Sequence, residues 1–231
     1  MTTVHPSATH GAGTADGRMA LEVTVTAPVV SFRNPLYASV QVCLPCPPPA
    51  TVGGMLAAAA GGWAQVDPGL RFAMAFHARG QGTDLETYHP LEASGKRTDP
   101  TPRDRAFLAD VTLTIWLLDG VDGWAARLRR PVWPLRLGRS QDLVGISIRA
   151  VDLVGGPGRQ GAAILPATAG GQGVRLRLPT AVSTDRARTR WDDYRFDPLA
   201  RAADSVGEGW CDPQGRAVVL LPPVHPSRAE P

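Results

Sequence analysis

Hydrophobic and polar positions alternate most cleanly near the start of the chain. Leu21, Val23 and Val25 interleave with Glu22, Thr24 and Thr26, the period-two signature of a strand with one buried face from Ala20 to Thr26. The next ordered segment is helical: Thr51 to Ala60 is apolar and Ala-rich, with Thr51 as the N-cap and Gly61-Gly62 as the stop. Three prolines, Pro47, Pro48 and Pro49, lead into it and hold the backbone extended. Leu70 to His77 reads as a second strand and Phe107 to Leu117 as a third, with Val111, Leu113 and Ile115 on one face. Asp122 can cap a short helix reaching Arg130, with Trp124 and Leu128 facing inward and Pro131 ending it. Ile146 to Val154 forms a fourth strand.

The order strand–helix–strand–strand–helix–strand predicts an α+β chain with a ferredoxin-like, or RRM-like, domain over residues 19–154. Beyond it the texture changes. Residues 155–173 are rich in glycine, and only Val174 to Leu178 and Ala217 to Leu221 read as strands. Residues 155–231 are therefore expected as a small β-rich C-terminal appendage, with a frayed proline-rich end from Pro222. Residues 1–18 are polar and read as a disordered tail without a secretory signal. The longest apolar stretch, MLAAAAGGWA, is too short to span a bilayer.

One connection is out of scale. Ala78 to Ala106 separate the second and third strands, where a hairpin needs about 2–5 residues. The segment carries Tyr88, three glycines and the basic residues Arg79, Lys96, Arg97, Arg103 and Arg105. A segment of this length has either a job outside the core or no fixed structure.

Composition adds limits. The net charge is only +3, but all of the 24 basic residues except Lys96 are arginine. A GC-rich genome accounts for such a bias, and it also suits phosphate recognition, which the planar guanidinium fork serves better than an ammonium. Cys43, Cys46 and Cys211 are an odd set. Cys43-Leu-Pro-Cys46 has the spacing of a zinc knuckle, yet no second Cys or His pair follows to complete a tetrahedral site, so no metal is expected. Gly156-Pro-Gly158-Arg-Gln-Gly161 fits a dinucleotide fingerprint, but Pro166 forbids the helix that must follow. No phosphate-binding Walker loop and no nucleophile elbow occur. His77 reads as a core or strand-edge residue.

The chemistry left is recognition. Two glycines, Gly53 and Gly54, weaken the start of the first helix by about 1 kcal/mol each relative to Ala. Their gain would be a bare helix start where backbone amides meet an anion closely. RNA held by its backbone needs amides and arginines for phosphates, together with apolar surface for splayed bases. The candidates are Arg33, the helix opening Thr51, Gly53, Gly54 and Met55, the arm residues Lys96, Arg97, Arg103 and Arg105, and the turn Arg139, Ser140 and Gln141.

The string from Phe32 to Gly61, with Phe-Arg-Asn-Pro, three prolines, Thr51 and the Gly-Gly-Met-Leu-Ala run, resembles the Cas5 family of CRISPR-associated proteins. Weaker likeness continues in FLADVTLTIWL (Phe107 to Leu117) and PLRLGRSQDL (Pro134 to Leu143). The resemblance implies a non-catalytic, cytoplasmic RNA-binding subunit of a type I Cascade complex in antiviral defence, without cofactor. Its partners would be the crRNA 5′ handle and the backbone and large subunits, with target DNA met only through the complex. It also implies that the 78–106 segment is a thumb packing into the guide. One branch of that family cuts precursor crRNA without metal, using a Tyr and a Lys-His pair. Tyr37 and Tyr88 offer phenols here, but no Lys-His dipeptide exists, so cleavage is the alternative, alongside a generic single-stranded RNA-binding module. The aromatic residues of an RRM sheet are missing from the first and third strands, which favours recognition by loops.

Overall fold

A computed structural model describes residues 17–34, 36–37, 42–88 and 99–230. The expected tail lies outside them except for Gly17 and Arg18, which begin the first strand, and so do Lys96 and Arg97.

The chain is α+β. Strand β1 (Gly17–Val30) leads to helix α1 (Pro49–Ala60), then β2 (Ala73–Tyr88), β3 (Thr101–Leu117), helix α2 (Val121–Arg129) and β4 (Gly145–Gly155). These four strands lie side by side in the order β4-β1-β3-β2, every neighbouring pair antiparallel. The alternation in β1 is honoured. Leu21, Val23 and Val25 pair with Leu117, Ile115 and Leu113 and share a core with Val52, Leu56 and Leu128 of the helices. Burying each such side chain is worth about 1.5–3 kcal/mol. The opposite face of the sheet carries Ala73, Ala75 and Trp116.

The C-terminal part continues this sheet at both edges. Strands β6 (Ala163–Pro166), β8 (Thr189–Phe196) and β7 (Val174–Val182) extend it beyond β2, while β10 (Trp210–Cys211) and β11 (Ala217–Val218) extend it beyond β4. A separate two-stranded ladder joins β5 (Gly158–Arg159) and β9 (Ser205–Val206). The segment before β11 crosses the helix-free face, where the Arg216 guanidinium lies 4.8 Å from the Trp116 ring. It also bonds buried Glu22 at 2.8 Å, and Arg149 holds the other carboxylate oxygen at 2.7 Å.

Four expectations need correction. The first helix begins at Pro49 with Pro48 as its cap, and Thr51 is its third residue. Proline at the first helical position is preset for the turn and loses no hydrogen bond there, so the helix starts as soon as the prolines allow. The second helix is entered through Gly120 in the left-handed region (φ 65), with Asp122 inside its first turn. Residues 155–173 are not a bare glycine loop, because they hold β5 and β6. The buried Gln160 amide there donates to the Gln172 carbonyl and accepts from its amide. The C-terminal end is docked: the Leu221 amide donates to Phe72 O at 2.9 Å, and Leu221, Val224 and Pro226 are buried.

The out-of-scale connection is mostly ladder. Pairing continues from Ala78–Val111 outward to Tyr88–Thr101, so β2 and β3 form one long hairpin projecting past the core. Its outer residues 83–85, 87 and 99–104 are exposed.

Candidate functional site

Four of the arginines and threonines singled out by sequence converge. Arg33, Thr51, Arg105 and Arg139 line one cleft of about 310 Å³ together with Ser31, Phe32, Pro48 and Gly138. Four segments supply them: the exit of β1, the first turn of α1, the root of the hairpin and the turn before β4.

Each wall has a local cause. After β1 the chain folds back on itself, with Leu44 N donating to Phe32 O at 2.7 Å and Asn34 N to Val42 O at 2.9 Å. Phe32 points into the core against Phe76, at 5.8 Å between ring centroids, and exposed Arg33 follows it. The turn carrying Arg139 is fixed by Asp142, whose side chain is almost fully buried. One Asp142 carboxylate oxygen accepts from Ser31 N at 3.1 Å and from Arg139 N at 2.9 Å, and the other accepts from Arg139 Nε at 3.0 Å. Gly138 sits at φ 107, and a Cβ there would meet Ser31 O at 2.7 Å. Only glycine lets this turn lie so close to β1. On the hairpin, Ser31 Oγ donates to Ala106 O at 2.8 Å, tying the β1 exit to the root of the arm. Arg105 pairs with Glu86 diagonally across the ladder.

The cleft lining carries three guanidiniums and no carboxylate. The side chains of Arg105 and Arg139 are only 13% and 12% exposed, each with one carboxylate partner. Held guanidiniums of this kind keep donors over for a planar anion, and partial burial strengthens them. Burial pushes the neighbouring Cys43 thiol above its usual range, while the Phe32 amide, Ser31 and the charges of Arg139 and Arg105 pull the other way. Cys43 is therefore a neutral neighbour behind the wall, accepting from the Phe32 amide at 3.2 Å.

The helix start contributes less than its glycines suggested. Pro48 and Pro49 have no N–H, and the amides of Thr51 and Val52 both turn back to Pro48 O, at 2.9 and 3.2 Å. Gly53 lies in the second turn and is buried; its missing Cβ would meet Val224 Cγ2 at 2.8 Å and Trp63 at 3.1 Å. It is a packing glycine. Met55 is core as well. Gly54 is different: nothing lies within 4 Å of a Cβ built on it, and it follows Thr51 by three residues, on the same helical face. Ser140 and Gln141 are exposed at the tip of the Arg139 turn, and Arg103 is exposed on the arm opposite Glu86. Lys96 and Arg97 lie outside the described residues.

Sequence reasoning passed over Asp142, Ser31 and Gly138. The signal was present as a Gly-Arg-x-x-Asp turn, in which an acid three residues after an arginine can hold it. For cleavage chemistry, Tyr37 is exposed in the fold-back after β1, and His77 is exposed on β2, away from this cleft. No cluster of three or more His, Cys, Asp and Glu suited to a metal occurs among the described residues, and no helix there is long and apolar enough to cross a membrane.

Residues 20–203 match the model of the family described as CRISPR-associated protein (Cas_Cas5). Among solved structures, a chain described as "CRISPR RNA-guided surveillance complex" aligns with a TM-score of 0.53 and 17% identity, over 91% of this chain and 97% of that one. A CRISPR protein from Archaeoglobus fulgidus aligns with a TM-score of 0.49 and 15% identity, over 88% and 99% of the two chains. No curated protein matches the chain.

Proposed function

The chain belongs to the Cas5 family of CRISPR-associated proteins, and from that premise we propose that it is the RNA-binding subunit of a type I Cascade complex, holding the crRNA 5′ handle without cutting it. The observation that carries this reading is the convergence of Arg33, Thr51, Arg105 and Arg139 on one cleft at the root of the hairpin. Three guanidiniums and a hydroxyl on rigid elements suit a bent phosphate backbone. Gly54 leaves open space beside Thr51 for close approach of a sugar or base.

In this reading the four central strands and two helices are a ferredoxin-like scaffold, and the hairpin is a thumb reaching along the RNA to the backbone and large subunits. A general base and a group to stabilise the leaving oxygen are what cleavage needs. The cleft offers arginines held by carboxylates in place of a Tyr with a Lys-His pair.

The test is binding of a labelled handle RNA by the Arg139→Gln variant. Asp142 keeps its two backbone donors in that variant, so the fold is expected to survive. Affinity should fall, and the salt slope should shrink by about one. Unchanged affinity and slope would remove the cleft from the function.

A further inference from the structure

The stretch from Gly123 to Arg139 contains five arginines and no Asp, Glu, Asn or Gln. This short segment thus carries more positive charge than the net +3 of the whole chain. In its middle Trp133 is 59% exposed and Val132 60%. This ring does not hang on a loose loop. The Val132 and Trp133 amides donate to Ala59 O and Ala58 O, at 3.2 and 3.3 Å, so the backbone is fastened to the last turn of α1. Pro131 and Pro134 stiffen it on both sides. Arg129, Arg130 and Arg136 are exposed along the same segment. Arg127 is committed elsewhere, over the Trp124 ring at 5.1 Å, and Arg139 belongs to the cleft. Thr51 and Ala58 are separated by roughly 11 Å along the helix axis, so Trp133 stands apart from the cleft, while Arg136 lies two residues before Gly138 of its wall.

We infer that Trp133 with Arg129, Arg130 and Arg136 forms a second nucleic-acid contact, a stacking platform for a single strand bound without regard to sequence. An exposed indole face on a fastened backbone takes any base, and flanking guanidiniums take the phosphates. Stacking on an indole and charge pairing with phosphates use groups that both polymers carry, so DNA and RNA should bind alike. Three exposed guanidiniums with no carboxylate in the segment complement a phosphate backbone, and that complementarity argues for this occupant.

The experiment uses the full chain, free and preloaded with a short handle oligonucleotide, and measures anisotropy of labelled dT20 and rU20 at 50 and 200 mM salt. Wild-type protein should bind both 20-mers with similar affinity, and preloading should not block them. Trp133→Ala should lose about tenfold in affinity for both while keeping handle affinity within twofold. Arg129→Gln with Arg130→Gln should lower the salt slope by about two. Unchanged 20-mer binding by Trp133→Ala overturns the inference, and so does complete competition by the preloaded handle. Loss of protein subunits from the purified complex with 20-mer binding intact would make the patch a protein interface instead. Failure of Arg139→Gln to weaken handle binding would sink the cleft reading and leave this one standing.

Discussion

The two adjacent glycines of α1 should respond oppositely to the same substitution. Replacing a mid-helix glycine by alanine gains about 1 kcal/mol of helix propensity where the new methyl is free. At Gly54 nothing lies within 4 Å of that methyl, so Gly54→Ala should stabilise by up to about 1 kcal/mol. At Gly53 the methyl would sit 2.8 Å from Val224 Cγ2 and 3.1 Å from Trp63, well inside van der Waals contact. Overpacking of this kind costs typically 1–3 kcal/mol. Set against the same propensity gain, Gly53→Ala should come out neutral to about 2 kcal/mol destabilising. Val224 belongs to the docked C-terminal end, so the strain should be relieved by displacing that end from Leu70 and Phe72. Thermal unfolding reads both, at roughly 2–4 °C per kcal/mol for a chain of this size. Adding Val224→Ala should make Gly53→Ala less costly than it is in the wild-type background, a coupling a double-mutant cycle isolates. If Gly53→Ala raises Tm as much as Gly54→Ala, the packing account of Gly53 is wrong.

Other expectations are independent of that one. Glu22→Ala leaves Arg149 and Arg216 without their shared buried partner and should cost on the order of 2–3 kcal/mol by urea denaturation; a change below the error of the fit would refute the role given to this cluster. Excising 85–103 and closing Asp84 to Asp104 with a tight turn removes such exposed ladder residues as Leu85 and Arg103 and keeps Arg105. The shortened protein should stay folded by circular dichroism yet fail to co-purify with guide RNA and the backbone subunit, and full assembly would discharge the arm from the mechanism. Burial raises the pKa of the Cys46 thiol, so the folded chain keeps that proton while the unfolded chain releases it from about pH 8.5. Stability from this group is present below that pH and is lost as pH rises above it. Cys46→Ala should therefore flatten the fall in stability between pH 8 and 10, measured by urea midpoints, and an unchanged slope would contradict the linkage.

What could be read from the sequence divides along physical lines. Period-two alternation found the faces of β1 and β3, and inward Trp124 and Leu128 fixed the buried side of α2, because burial imposes those patterns directly. The length of β2 and β3 was hidden, since residues such as Thr83, Asp84 and Arg103 pair through their backbones with both faces wet and leave no hydrophobic signal. Partners distant in sequence were hidden for the same reason: nothing near Gly53 announces Val224, and nothing near Glu22 announces Arg216. Among site residues, Arg33, Thr51, Arg105 and Arg139 were found as types suited to phosphate, while Asp142 and Gly138, which aim Arg139, were not. A residue that positions another is recognised by contacts, and contacts exist only once the chain is folded.

In the proposed function the cleft holds the handle and leaves it intact. Labelled, unprocessed repeat RNA incubated with the purified full chain in EDTA, captured on the protein and resolved on a denaturing gel, tests both halves at once. The expected result is captured RNA of full length, displaced by excess unlabelled handle and not by a scrambled oligonucleotide of the same size. A single defined cleavage product, or capture indifferent to the handle sequence, would contradict it.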